Sequence, residues 1–269
     1  MTVRAKPKFG QHFLEPTWVT KLLKTIQPAT EDLFVEIGPG RGAVTLALAE
    51  TGAQVVAIEI DRALAQELAA RAPANVTIIP GDILKIDFKA LLMPVGTTPR
   101  AVGNLPYKIS SAIVRRLLAI SEGGVRLRDA TLMLQREVAD RVIAEPGMST
   151  WGPLAVMTRL HAEAKRTLLL PPGAFRPVPR VRSTVIRLRF VPPRIKITDH
   201  VLFERLVRRI FTRRRKMALN ALRPFAAETS PLPVEEIFTR AGVDPRRRPS
   251  DLELSELTEL SEVLASSRY

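Results

Sequence analysis

The sequence predicts an α/β protein, a doubly wound parallel sheet covered by helices and followed by a smaller all-α domain at the C-terminus. Three observations predict it. Short apolar runs alternate with helix-like stretches through the first half of the chain. Those runs are apolar on both faces, as strands inside a parallel sheet are. Beyond Pro192-Pro193 only helical periodicity remains.

In chain order, a helix-like stretch from Trp18 to Ile26 precedes the strand Leu33–Ile37, which runs through a glycine-rich turn into a helix, Ala43–Glu50. Strand Val55–Ile60 and helix Arg62–Arg71 follow, and strand Val76–Ile79 runs into Pro80-Gly81-Asp82. Strand Arg100–Val102 leads to a turn and, after the cap residues Ser110-Ser111, a helix over 111–120. Strand Ala130–Leu134 precedes a helix over 136–144. A Gly/Pro junction at 146–153 separates this from a helix starting near Leu154. Two strands, Thr167–Leu170 and Ser183–Phe190, flank the loop Pro171–Arg182. The C-terminal helices are Val201–Leu222, Val234–Ala241 and Leu252–Leu264. The expected domains are 1–191 and 192–269.

Composition excludes several classes. With 46% apolar residues the chain can build a core, yet no run approaches the roughly 20 residues of a membrane span. Met1 to Gly10 is basic and lacks the apolar region of a signal peptide, so a cytoplasmic protein is expected. There is no cysteine, which removes disulfides, thiol catalysis and zinc–thiolate sites, and three scattered histidines argue against a metal centre. The net charge of +14 implies a polyanionic partner, either nucleic acid or an anionic membrane surface. The charge is patched: Arg205 to Arg223 holds eight basic residues and no acidic one. A solvated helix face is the bland alternative, but an uncompensated run favours nucleic acid.

Two stretches point to chemistry. Asn104-Leu105-Pro106-Tyr107 follows the strand end Ala101-Val102-Gly103. The side-chain oxygen of Asn104 and the Leu105 carbonyl can both accept from one exocyclic amino group. Pro106 stiffens the turn, and Tyr107 can stack on a base. An ordinary strand-to-helix turn uses similar residues. The second stretch, Glu36-Ile37-Gly38-Pro39-Gly40-Arg41-Gly42, is a glycine-rich strand-to-helix loop whose backbone can approach a ligand closely. It lacks the GxxxxGK[ST] of a phosphate-binding loop and matches the dinucleotide pattern only partly, which leaves S-adenosylmethionine as the third option. Glu59, 21 residues past Gly38, is placed to take ribose hydroxyls, and Asp82 to accept from an adenine amino group. Strand-end carboxylates also cap helices, and Asp61 is the expected cap.

These motifs occur in a familiar order: Gly10-Gln11-His12-Phe13-Leu14, the Glu36–Gly40 loop, Glu59, Gly81-Asp82, Asn104–Tyr107, then Phe175-Arg176-Pro177-Val178-Pro179-Arg180-Val181-Arg182-Ser183 and Arg214-Arg215-Lys216. Over about residues 6–265 the sequence resembles the ribosomal RNA adenine dimethyltransferases, most closely the small-subunit, kasugamycin-resistance type. The resemblance implies a Rossmann-like S-adenosylmethionine methyltransferase domain with a small all-α C-terminal domain. It implies dimethylation at N6 of two adjacent adenines near the 3′ end of 16S rRNA, and a role in small-subunit biogenesis. Cofactor positions carried over are His12, Leu14, Gly38, Gly40, Glu59, Asp82 and Asn104; many members have Asn where this chain has His12. The catalytic set is Asn104, Leu105, Pro106 and Tyr107, with Phe175 expected on the opposite face of a flipped base.

RNA binding is expected from Arg180, Arg208, Arg209, Arg213, Arg214, Arg215 and Lys216, together with Lys6 and Lys8. On one long helix, Leu206, Ile210, Met217 and Leu219 would face the core. Rival readings are a 23S rRNA adenine methyltransferase of the macrolide-resistance type, a DNA adenine methyltransferase and a mainly non-catalytic assembly factor. A monomer is expected.

Overall fold

The structure, a computed structural model, describes residues 12–92, 97–122, 126–193 and 195–268. Lys6, Lys8, Gly10 and Gln11 lie outside the described residues. The chain divides into two compact units. The first runs to Ala139 and resumes over Ala162–Phe190; the second joins Asp140–His161 to the chain after Val191. The expected continuous stretch 1–191 therefore differs from the structure over Asp140–His161. Packing explains the difference: Trp151, Ala155, Val156 and Leu160 are buried in one core with Phe203, Leu206, Ile210, Phe225 and Phe238. The Trp151 indole N–H, which must find an acceptor when buried, donates to the Leu252 carbonyl at 3.1 Å.

The first unit opens with β1 (Phe13–Leu14) and α1 (Pro16–Ile26), with Pro16 at a helix start where its missing N–H costs nothing. Then follow β2 (Leu33–Ile37), α2 (Ala43–Ala49), β3 (Gln54–Glu59), α3 (Arg62–Ala69), β4 (Val76–Pro80), α4 (Phe88–Leu92), β5 (Arg100–Asn104), α5 (Ser110–Glu122) and β6 (Asp129–Gln135). The strands β2 to β6 are parallel, and all five residues of β2 are buried, as a strand covered on both faces requires. After α6 (Arg136–Val142) and α7 (Pro153–His161), the chain adds β7 (Ala162–Leu170), β8 (Phe175–Arg176) and β9 (Ser183–Phe190). The seven-stranded order is β4-β3-β2-β5-β6-β9-β7. β9 is antiparallel to both β6 and β7, so the sheet is mixed rather than wholly parallel. β1 and β8 form a separate antiparallel pair.

The second unit contains α8 (His200–Thr212), α9 (Ala218–Thr229), α10 (Val234–Ala241) and α11 (Leu254–Ser266). Asp199 caps α8 by accepting from Leu202 N at 2.8 Å. The single helix expected over Val201–Leu222 is broken between Thr212 and Ala218. The amides that open α9 have other partners: Ala218 N donates to the Arg247 carbonyl at 2.7 Å and Leu219 N to Pro245 at 3.2 Å. A continuous helix would have consumed those amides. Met217, expected in the core, is 44% exposed at the elbow.

One buried cluster holds the lower end of the parallel sheet. Arg100, 1% exposed, opens β5. Its guanidinium donates to Asp129 Oδ1 at 3.0 Å, Asp32 Oδ2 at 2.7 Å and the carbonyls of Ile26 and Gln27 at 2.7 and 3.2 Å. Arg128 takes the other Asp32 oxygen at 2.5 Å, and Arg187 the other Asp129 oxygen at 2.6 Å. Burial alone pushes the Asp32 carboxyl up, but the Ala29 amide and the two arginines hold it below the ordinary value of 3.8. Removing Arg100 leaves two buried aspartates each short of one partner. Arg100→Met is expected to lower the unfolding free energy by about 3–5 kcal/mol. Asp32 binds fewer protons folded than unfolded, so its contribution is present at neutral pH and is lost as pH falls below the ordinary value of 3.8. Denaturant titrations at pH 7 and in acid check both points: the gap between wild type and variant narrows in acid.

Candidate active site

In the sheet order the chain reverses direction between β2 and β5, and open α/β sheets bind ligands at such a switch point. A cavity of about 400 Å³ lies there. Its walls include His12, Leu14, Gly38, Gly40, Glu59, Asp82 and Asn104 with Leu105, Pro106 and Tyr107. All the positions carried over from the resemblance, Phe175 excepted, thus come together.

The glycine loop leaves β2 with Gly38 and Gly40 at φ of +68° and +57°, a region side chains disfavour. A Cβ at Gly40 would lie 2.9 Å from the Phe13 ring, whereas one at Gly38 would meet no atom nearer than 3.9 Å; the Gly38 N–H donates to the Ile58 carbonyl at 2.9 Å. Glu59, ending β3, ties the loop to the next turn: one carboxylate oxygen accepts from Gly40 N at 3.0 Å, the other from Asp61 N at 2.9 Å. Asp61 caps α3 through Ala63 N at 3.1 Å, as expected. Asp82 Oδ1 accepts from Leu84 N at 3.0 Å. Each carboxylate keeps lone pairs for a ligand.

Two carboxylates in the cavity are shifted upward. Burial pushes the Glu36 carboxyl up to about 7, with the Thr45 hydroxyl acting against it and the charge of Glu59 adding to it. Glu36 Oε2 is buried and meets no hydrogen-bond partner among the described residues. Burial also raises Glu59, opposed by the amides of Asp61 and Gly40. Glu36, Ile60, Ile83 and Lys108 line the cavity without having been assigned a role from sequence. Their adjacency to assigned residues was the available signal.

The Asn104 amide is fixed in orientation: Nδ2 donates to the His12 carbonyl at 2.6 Å. The Leu105 N–H donates to Met133 in β6 at 3.2 Å. Tyr107 stacks against His12 with ring centroids 5.4 Å apart, and its phenol oxygen lies 3.1 Å from Ser183 Oγ. Burial raises the Tyr107 phenol above its ordinary value, and the Ser183 hydrogen bond acts the other way. Phe175 departs from expectation. It is fully buried, paired with Leu14 in the β1–β8 ladder and packed in the core with Val19 and Leu22, so it is not a face for a base in this structure. A short strand pairing that periodicity cannot reveal turns its ring inward.

Comparison with known proteins places this geometry. The sequence profile of the ribosomal RNA adenine dimethylase family matches residues 2–250. The chain belongs to that family. A ribosomal RNA small subunit methyltransferase A from Aromatoleum aromaticum is 38% identical over 266 residues, covering 98% of this chain and 95% of the relative. One from Geobacter sulfurreducens is 38% identical over 272 residues, covering 98% and 97%. The crystal structure of a dimethyladenosine transferase from Plasmodium falciparum superposes with a TM-score of 0.76 at 22% identity, covering 93% and 96% of the two chains. That of the 23S rRNA methyltransferase ErmE gives 0.66 at 26%, covering 94% and 99%. This rRNA adenine dimethyltransferase is thus a methyltransferase with a Rossmann-like sheet and a helical C-terminal part.

The residues expected to meet RNA are distributed over both units. Arg180 is exposed on the loop before β9. Arg208 and Arg209 are exposed on α8, but each is paired, with Glu204 at 2.8 Å and Glu228 at 3.5 Å. Arg213, Arg214, Arg215 and Lys216, with Thr212 and Asn220, line a second cavity of about 460 Å³ at the elbow before α9. Arg214 donates to the Ser149 carbonyl at 2.6 Å. Among the described residues no cluster of three or more His, Asp or Glu is placed to hold a metal ion. Among the described residues no helix is long and apolar enough to cross a membrane.

The raised Glu36 carboxyl has a stability consequence. Between its ordinary 4.5 and about 7 the folded state holds a proton that the unfolded state releases, so folding weakens as pH rises through that window. Glu36→Gln is expected to flatten this dependence by ~3 kcal/mol in the ligand-free protein. Urea unfolding of both proteins across the window measures it.

Proposed function

We propose that this enzyme dimethylates N6 of two adjacent adenines in the 3′-terminal hairpin of 16S rRNA. Each methyl group comes from S-adenosyl-L-methionine, and the reaction forms part of small-subunit biogenesis in the cytoplasm. The small-subunit names of the full-length relatives at 38% identity support the target. The observation that carries the chemistry is the fixed Asn104 amide. With Nδ2 committed to the His12 carbonyl, Oδ1 is the end left to accept a hydrogen bond from the amino group of an adenine.

The cavity fits the cofactor on its own evidence. Gly38 leaves free space beside its Cα, Glu59 and Asp82 retain acceptor capacity, and Ile60 and Ile83 supply an apolar wall for an adenine ring. His12, Leu14, Gly38, Gly40, Glu59, Asp82 and Asn104 would hold it. When bound, the cofactor supplies a methyl group on a positively charged sulfur. The adenine N6 lone pair is delocalised into the ring, which makes the amine a poor nucleophile. Asn104 Oδ1 and the Leu105 carbonyl hold its two hydrogens and favour a more tetrahedral nitrogen aligned for attack. Pro106 keeps the two acceptors in register, and Tyr107 stacks on the flipped ring. The proton leaves after transfer, when the nitrogen is cationic, so no strong base is needed beforehand.

The second unit carries RNA through Arg208, Arg209, Arg213, Arg214, Arg215 and Lys216, and Arg180 contributes from the first. The protein acts as a monomer. Phosphate contacts of this kind release counterions, so affinity for rRNA is expected to fall steeply between about 50 and 200 mM salt; a filter-binding series that stays flat would remove these residues from the interface.

The deciding assay is transfer of tritiated methyl groups to 30S particles lacking the modification, with 50S particles in parallel and digestion to nucleosides. Dimethyladenosine from 30S alone is expected. Label in 50S alone would reassign the target to the large subunit, and no label in either would leave an RNA-binding assembly factor. Asn104→Ala is expected to lower turnover by about 100-fold or more while cofactor affinity changes only severalfold.

A further inference from the structure

The loop 177–182 is fastened at both ends to the pair of rings that lines the cavity. At its start, the Pro177 carbonyl accepts from His12 Nδ1 at 2.7 Å, a contact that extends the β1–β8 ladder, where Phe13 faces Arg176. At its end, buried Ser183 meets the Tyr107 phenol at 3.1 Å. The two rings stack on each other at 5.4 Å and 25°. The His12 carbonyl in turn accepts from Asn104 Nδ2. Between its fastenings the loop presents Val178 at 55% and Val181 at 40% exposure beside exposed Arg180 and Arg182. Apolar groups interleaved with guanidinium groups suit bases and phosphates together.

We infer that His12 is a positioning residue that couples this RNA-facing loop to the base-capturing turn, its ring steadying Tyr107 and its Nδ1–H steadying Pro177. The inference rests on the methyl-transfer reading above. Nδ1 is spent on the loop rather than on a ligand, and a residue with a ring and a donor can serve both neighbours where an amide cannot stack in the same way. Nucleotides flanking the target adenine, held on Val178, Arg180, Val181 and Arg182, would thereby set the angle at which the target itself is presented.

Two variants separate the contacts. His12→Phe keeps a ring against Tyr107 and deletes the donor to Pro177; His12→Ala deletes both. On unmodified 30S particles, His12→Ala is expected to lower kcat about tenfold to 100-fold. His12→Phe should restore most of kcat while the KM for particles stays raised about threefold to tenfold, the worth of one hydrogen bond. Amide hydrogen exchange on the same proteins, free of RNA, reads the coupling directly. Exchange should quicken over both 104–107 and 178–183 in His12→Ala, and over 178–183 alone in His12→Phe. Unchanged exchange and unchanged kcat in His12→Ala would overturn the inference. So would a large loss of cofactor affinity with loop exchange unaltered, which would confine His12 to holding the cofactor. Wild-type protein that transfers no label to 30S particles would overturn the functional reading, and the exchange experiment would still decide the coupling.

Discussion

The position of the Asn104–Tyr107 turn depends on an arginine at the far end of its strand. Arg100 and Asn104 are the first and last residues of β5. Arg100 is held by carboxylates from the loop before β2 and from the start of β6, the two strands that flank β5, and by the carbonyls that end α1. Each aspartate is completed by a second arginine. Such a cluster costs desolvation and returns it only when every member is paired, so it tolerates one register among the three strands. A strand rises about 3.3 Å per residue. One residue of slip between β2 and β5 would carry Asn104 out of reach of the glycine loop and invert the faces of its neighbours.

At the opposite end of the strands the electrostatics reverse. The chain carries a net charge of +14, yet Glu36, Glu59 and Asp82 line the main cavity. Arg41 and Lys108 share that lining, and exposed cations also stand on the loop 177–182 and within the second unit. Under the proposed function the carboxylates draw a sulfonium-bearing cofactor and the cations a polyanion. Burial of Glu36 and Glu59 raises both carboxyls, and the two repel each other. A bound positive charge would relieve that repulsion, so the cavity is destabilised in the direction that favours the ligand.

Much of this was legible in the residues, and what was not has identifiable causes. β2 and α10 end where apolar pattern and punctuation say, since a fully buried strand and a helix closed by Gly242 in a left-handed conformation leave little choice. The cavity-lining residues were legible because strand ends and glycine turns leave local marks. Long-range pairings leave none. β1 and β8 are two residues each and exist only through one another, which is why Phe175 read as exposed in a basic, proline-rich loop. The run from Arg205 to Arg223 read as uncompensated because its partners lie outside it, at Glu204, Glu228 and Glu235. Arg100 read only as the first residue of a strand, since a sequence does not show that two aspartates and two helix-end carbonyls converge on it.

Under the proposed function, the same constraint explains why the site would need so little acid–base chemistry. Tyr107, its phenol raised by burial, stays neutral in the physiological range and offers a surface rather than a proton. Asn104 does not titrate, and its orientation is set by the His12 backbone carbonyl, which does not respond to pH either. Rate enhancement at such a site comes from alignment. Well-oriented reactants recover roughly 7–11 kcal/mol of barrier, a gain forfeited by shifts on the order of 1 Å. A turn whose acceptors are a backbone carbonyl and a pinned amide, mounted on a strand locked at its other end, meets that tolerance through rigidity alone. The mobility the reaction requires is then confined to the RNA, which must release its base from the stack, and to whatever holds the flanking nucleotides.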